Sequence, residues 1–154
     1  MDLSDLLAPN AVRVLGTMSG KKRLLQELGE IAQTAYRIDA MVAMDALQER
    51  ESLESTGVGQ GVAIPHGRLD GLDRVVGVFI RLERAIDFEA VDRQPVDLVF
   101  ALFAPRDSVV EHLKALASVS RTLRDQGVCA KLRANSDPAA LHAVLTASKA
   151  DRAA

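Results

Sequence analysis

Val75-Val76-Gly77-Val78-Phe79-Ile80-Arg81-Leu82 and Val96-Asp97-Leu98-Val99-Phe100-Ala101-Leu102-Phe103 decide the fold class. Both runs are short, rich in β-branched and aromatic residues, and apolar almost without interruption. A strand with one wet face alternates, whereas a strand that is apolar throughout has both faces covered, as when helices lie above and below a sheet. Asp97 is the exception in the second run and is expected near an edge. Val62 to Ile64 reads as a third strand, and Ala11 to Leu15 as a short, weak one.

Helical patterns flank these strands. Upstream, Leu24, Leu25, Leu28, Ile31, Ala32 and Ala35 recur at helical spacing, which turns Lys21, Lys22, Gln26 and Glu30 to water. Asp39 is placed to cap a second helix running to about Ser52, with Val42, Ala46 and Leu47 inward. Downstream of Pro105, Ser108-Val109-Val110-Glu111 has the form of a capping box ahead of a stripe of Leu113, Leu116, Ser120 and Leu123. Val128 to Ala134 predicts a short helix. Asp137 before Pro138 opens a final helix whose buried face is Leu141, Val144 and Leu145. Helices, then strands, then helices imply an α/β (α+β) sandwich in which a mixed sheet lies between helical layers. No linker or repeat divides the chain, so one domain is expected over residues 1–154, with a core at about 6–146 and a frayed tail at 147–154.

Composition narrows the function classes. The 154 residues are 48% hydrophobic and 26% charged, enough for a sizeable core. Nineteen basic against 21 acidic residues leave a net charge of −2, so there is no bulk positive field for nucleic acid or an anionic membrane. Aromatics at 3%, with no Trp, argue against a stacking platform for single strands. The single cysteine, Cys129, makes no internal disulfide, has no Cys-x-x-Cys partner and reads as a small core residue. Met1-Asp2-Leu3-Ser4-Asp5 is acidic where a secretory signal is basic, and no apolar run nears the ~18 residues that span a bilayer. A cytoplasmic location is expected, without insertion in the membrane.

The unusual segment is Ser55-Thr56-Gly57-Val58-Gly59-Gln60-Gly61-Val62-Ala63-Ile64-Pro65-His66-Gly67, which carries four of the 10 glycines and one of the three histidines. It leads out of a helix into a strand, the reverse of a dinucleotide fingerprint, and it lacks the Gly-Lys-Ser/Thr of a Walker loop. Nucleotide binding is therefore not expected. Its glycines let backbone approach a ligand or partner closely. Pro65 restricts its own φ and biases Ile64 to extended geometry, which presents His66 at the strand end with little freedom. Spacing alone leaves two readings level: a ring nitrogen put to chemical use, or a turn followed by a satisfied histidine. His66, His112 and His142 lack compact metal-ligand spacing, and no Gly-x-Ser-x-Gly elbow is present.

The same segment closely resembles the active-site signature of the IIA proteins of the bacterial phosphotransferase system, fructose/mannitol class. The nitrogen-regulatory IIA branch is the nearest. That resemblance continues through Val76-Gly77-Val78-Phe79-Ile80, Ile86-Asp87-Phe88-Glu89-Ala90-Val91-Asp92, Gln94-Pro95-Val96-Asp97-Leu98 and Phe100-Ala101-Leu102, and spans roughly Leu6 to Leu145. It implies a mixed sheet between helical layers. It implies that His66 accepts a phosphoryl group on Nε2 from a phosphohistidine carrier protein of the HPr type (NPr), with Thr56, Gly57, Gly59, Gly61, Pro65 and Gly67 forming the phosphoryl and partner loop. His112, in a His-Leu-x-x-Leu context, and Arg50, in an Arg-Glu-x-Leu-x-Ser-Thr-Gly context, are implied as supporting groups. No metal or organic cofactor is implied, since the phosphoryl group comes ultimately from phosphoenolpyruvate through partner proteins. His142 has no matching context and reads as an ordinary residue of the last helix. Regulatory targets such as potassium-transport regulators, sensor kinases or stress-response enzymes are expected to bind according to phosphorylation state. A separate fructose-type sugar permease, or a pure interaction role, is the alternative. Small side chains from Gly57 to Gly67 are expected to leave a low, open rim for the carrier.

Overall fold

A computed structural model describes residues 1–147. The elements are β1 (Leu7–Leu15), α1 (Lys21–Tyr36), α2 (Ala40–Leu53), β2 (Gly57–Gly59), β3 (Val62–Ala63), β4 (His66–Leu69), β5 (Val76–Ile86), β6 (Val96–Pro105), α3 (Val109–Leu123), α4 (Gln126–Arg133) and α5 (Pro138–Thr146), after a short 3₁₀ turn at Leu3–Asp5. The sheet order is β1-β5-β6-β3-β2, with β4 also paired to β6. The β1–β5, β3–β6 and β4–β6 pairs are parallel. The β5–β6 and β2–β3 pairs are antiparallel. The sheet is mixed, and it lies between helical layers.

Both long apolar runs are strands, and the continuous pattern has the expected cause: Val78 to Ile80 and Leu98 to Ala104 are fully buried. Helices α1 and α2 pack against each other, as α3, α4 and α5 do in series, and the core fills the space between these layers and the sheet. Phe79 and Phe100, opposite each other in register, place their ring centroids 6.1 Å apart. Asp39 caps α2 by accepting from Val42 N–H (3.0 Å), and Asp137 caps α5 by accepting from Ala139 N–H (3.1 Å). Cys129 is buried, its thiol directed at the Leu123 carbonyl.

Several expectations fail for reasons of packing. Asp97 belongs to β6, the central strand, and its carboxylate is neutralised by a forked contact from Arg133 of α4. Strand β1 begins at Leu7, not Ala11; an irregularity between Leu7 and Val12, around Pro9 and Asn10, masks the pattern. Lys21 does not face water, because it pairs with buried Glu51 at 2.7 Å. Val42 is 52% exposed, and Ala43 takes the inward position instead. The Ser108 side chain makes no capping bond. The inward face of α3 is His112, Ala115, Ser118, Val119, Thr122 and Leu123, so Leu113 is exposed and Leu116 and Ser120 are only half-buried. His142 is a clamp rather than a bystander: its Nε2 lies 2.9 Å from the Leu7 carbonyl. Ala147 is half-buried, and the fraying expected beyond it concerns residues outside those described.

Candidate functional site

Pro65 interrupts a strand without shifting it. Val62 and Ala63 pair with Leu98 and Val99, and His66 and Gly67 resume the same register against Leu102 and Phe103. Having no N–H, Pro65 cannot donate to the ladder, but its carbonyl still accepts from Leu102 N–H at 2.9 Å. His66 therefore starts β4, a strand with a partner on one side only. The half-buried ring turns Nδ1 to the Ile64 carbonyl at 2.9 Å. A carbonyl can only accept, so the neutral ring carries its hydrogen on Nδ1 and its lone pair on Nε2. Burial lowers the His66 pKa, as do Arg50 and Arg68, against the Ile64 bond and Glu51, which raise it.

His66 lines a cleft of about 530 Å³ between α2 and α3, with Arg50 and Leu53 on one wall and His112, Leu113 and Leu116 on the other. Arg68 and Arg106 complete the rim. His112 meets His66 edge-on, with ring centroids 5.3 Å apart. It is 4% exposed, and its Nε2 has no hydrogen-bond partner. Such an orphan normally costs ~1–3 kcal/mol. Desolvation, then the charges of His66 and Arg68, push its pKa down to about 4, so this ring is neutral at physiological pH. The Arg50 guanidinium donates to the Glu54 carbonyl at 2.7 Å, which holds it at the end of α2. Arg106 pairs with Asp70 at 2.8 Å, while Arg68 makes no ion pair with the described residues. Cations around a buried, unpartnered ring nitrogen suit a small anion.

The glycine-rich loop is a hairpin, and of its glycines Gly67 lines the cleft beside His66. Gly57, Gly59, Gly61 and Gly67 are all buried. Gly59 and Gly61 take positive φ (106° and 81°) around the β2–β3 turn. Gly67 serves close packing: a Cβ there would stand 2.9 Å from the Ala46 Cβ and 3.1 Å from the Ala46 backbone. Gly57 lies equally close to Ala90. The accessible wall beside His66 is made by α2 and α3. Thr56 is tied inward, its N–H and hydroxyl both donating to Glu51.

A family model described as "Phosphoenolpyruvate-dependent sugar phosphotransferase system, EIIA 2" matches residues 5–148. The chain belongs to this family. It is similar to a nitrogen regulatory protein of Bradyrhizobium diazoefficiens, 47% identical over 145 residues that cover 94% of this chain and 95% of that one. A nitrogen regulatory protein of Escherichia coli K12 is 40% identical over 147 residues, covering 95% and 90%. The crystal structure of nitrogen regulatory protein IIA-Ntr from Neisseria meningitidis superposes with a TM-score of 0.85 at 34% identity, covering 94% of this chain and 99% of that one.

In this EIIA chain, folding brings together the predicted trio of His66, His112 and Arg50. Sequence reasoning missed Arg68, Arg106 and Glu51. Arg68 stands two residues beyond His66 and, by strand alternation, on the same face, a signal that became readable only once β4 was recognised as a strand. Arg106 carried no local signal, and Glu51 stood only as the second residue of the Arg-Glu-x-Leu-x-Ser-Thr-Gly context of Arg50. No group of three or more His, Cys, Asp or Glu among the described residues could hold a metal ion. No described helix is long and apolar enough to cross a membrane.

Proposed function

We propose that this EIIA protein accepts a phosphoryl group on Nε2 of His66 from the phosphohistidine of an HPr-type carrier, and that the phosphorylation state sets its affinity for regulatory targets. The observation that carries this reading is the Nδ1 to Ile64 carbonyl contact at 2.9 Å, which leaves Nε2 with the lone pair in a cleft lined by neutral His112 and by arginines. In the step, the Nε2 lone pair attacks phosphorus and a new P–N bond forms. The carrier's P–N bond breaks, and its electron pair leaves with the carrier ring. The His66 hydrogen stays on Nδ1, where the Ile64 carbonyl stabilises the charge that phosphorylation puts on the ring. His112 Nε2–H and the Arg50 guanidinium donate to the phosphoryl oxygens. Donors preorganised toward a developing anion are worth up to ~2.7–4 kcal/mol each in enclosed sites, and less in an open cleft.

The likeness to nitrogen regulatory proteins over nearly the full chain supports a regulatory use. A phosphoryl group adds about −1.5 to −2 charge, enough to change a partner's fit at the cleft, with exposed Leu53 and Leu113 on its walls. The test is intact mass after incubation with a reconstituted phosphoenolpyruvate-dependent carrier chain. Wild type gains one phosphoryl mass and His66→Ala gains none; a phosphorylated His66→Ala protein overturns the assignment. Phosphorylation of sugar when a fructose-type permease is added would favour the transport role instead.

A further inference from the structure

Glu51 is a carboxylate in an unfavourable place. It sits in the last turn of α2, where the helix dipole is negative, and its side chain is 1% exposed. Burying a charge there is costly unless every lone pair finds a donor. The donors are all present: Lys21 Nζ at 2.7 Å, the Thr56 N–H at 3.2 Å, and the Thr56 hydroxyl. Lys21 is itself only 18% exposed and lies over the Phe88 ring, 4.6 Å from its centroid. From Thr56 the connections run straight to the site. The Thr56 carbonyl accepts from Ile64 N–H at 3.0 Å, and the Ile64 carbonyl faces His66 Nδ1 at 2.9 Å. Neighbouring Ser55 pins the same loop by donating to the Phe88 carbonyl at 2.9 Å.

We propose that Glu51, held by Lys21, is a positioning residue that fixes the Ile64 carbonyl through Thr56 and so locks the His66 imidazole in its Nδ1–H form, with Nε2 free. The charge works in the same direction. Arg50 and Arg68 disfavour the protonated ring and Glu51 favours it, so Glu51 offsets the arginines and keeps Nε2 more basic. A residue that only glued α1 to α2 would contribute to stability without affecting which nitrogen of His66 carries the hydrogen. The kinetic consequence rests on the phosphoacceptor reading above; the tautomer does not.

The experiment uses the full chain labelled with ¹⁵N, and long-range ¹H–¹⁵N spectra that report the hydrogen on each His66 nitrogen. Wild type is expected chiefly as Nδ1–H. Glu51→Gln, which keeps the shape and removes the charge, is expected to shift the ratio at least about fivefold toward Nε2–H. It should also lower the maximal single-turnover rate of phosphoryl transfer about tenfold while the carrier concentration that gives half that rate stays within about twofold. Thr56→Val breaks the hydroxyl link with the Glu51–Lys21 pair intact and should move the ratio the same way, and Thr56→Ser should restore it. A folded Glu51→Gln protein with the wild-type ratio overturns the proposal, as does a wild type found in the Nε2–H form. Should Glu51→Gln not fold, an unchanged ratio in Thr56→Val overturns it equally. If the phosphoryl group were to land on a residue other than His66, the phosphoacceptor reading would fall and the tautomer ratios would still decide this one.

Discussion

The imidazoles of His66 and His112 meet edge to face, with ring centroids 5.3 Å apart and planes inclined by 72°. One ring comes from the start of an edge strand and the other from the first turn and a half of α3. Two rings so close cannot both be cationic without repulsion, and the better-buried His112 is the one driven furthest from protonation. The two rings therefore differ in character: His66 turns Nδ1 to the Ile64 carbonyl and keeps its lone pair on Nε2, and His112 is a neutral ring.

That difference has a signature in stability against pH. His112 drops from an ordinary 6.5 to about 4 in the fold, so below pH 6.5 the unfolded chain binds the proton first. Its contribution is fully present above pH 6.5 and is lost as pH falls toward 4, by up to about 3 kcal/mol. Denaturant titrations at pH 7.5 and pH 4.5 should show a smaller drop in His112→Gln than in wild type. Equal drops would mean that His112 titrates normally.

Gly67→Ala should cost about 1–3 kcal/mol, because its Cβ meets α2 at Ala46 and the helix must move off β4. For a chain of this size that lowers Tm by roughly 2–4 °C per kcal/mol. Scanning calorimetry checks the loss. The same shift moves Arg50 away from His66, so the transfer rate should fall along with stability.

Leu113 and Leu123 belong to one helix and should behave oppositely. Leu113 is 59% exposed on the cleft wall, and Leu123 is buried. Leu123→Ala should cost about 2–5 kcal/mol in urea unfolding. Leu113→Ser should stay within about 0.5 kcal/mol of wild type, while raising the carrier concentration that half-saturates single-turnover transfer without changing the maximal rate.

Helix caps give a fourth comparison. Asp125 accepts from Gly127 and Val128 N–H at the start of α4, whereas Ser108 makes no side-chain bond at the start of α3. Asp125→Ala should cost about 1 kcal/mol, and Ser108→Ala close to nothing. A marked loss in Ser108→Ala, measured by urea titration, would restore the capping box read from the sequence.

Local chemistry was legible in the sequence. Two almost uninterrupted apolar runs require a sheet covered on both faces because burial of a strand is written in its own residues. Asp39 and Asp137 announced their helices because a cap acts on N–H groups two or three residues away. Pro65 announced the presentation of His66 because a proline ring constrains only its neighbours. Wherever the deciding partner lay far along the chain, the sequence was silent or misleading. Asp97 sits mid-sheet because strand order follows from which strands pair across the chain, and Arg133 waits there to neutralise it. Lys21 turned inward because Glu51 awaited it on another helix. Leu113 stayed exposed on the cleft wall because α3 turns His112, Ala115 and Val119 inward instead. The orphaned Nε2 of His112, the arginine rim and the path from Glu51 to His66 exist only once β4 has paired with β6 and α2 has settled onto Gly67. Periodicity reports which side chains avoid water, but only the assembled layers determine which of them face one another.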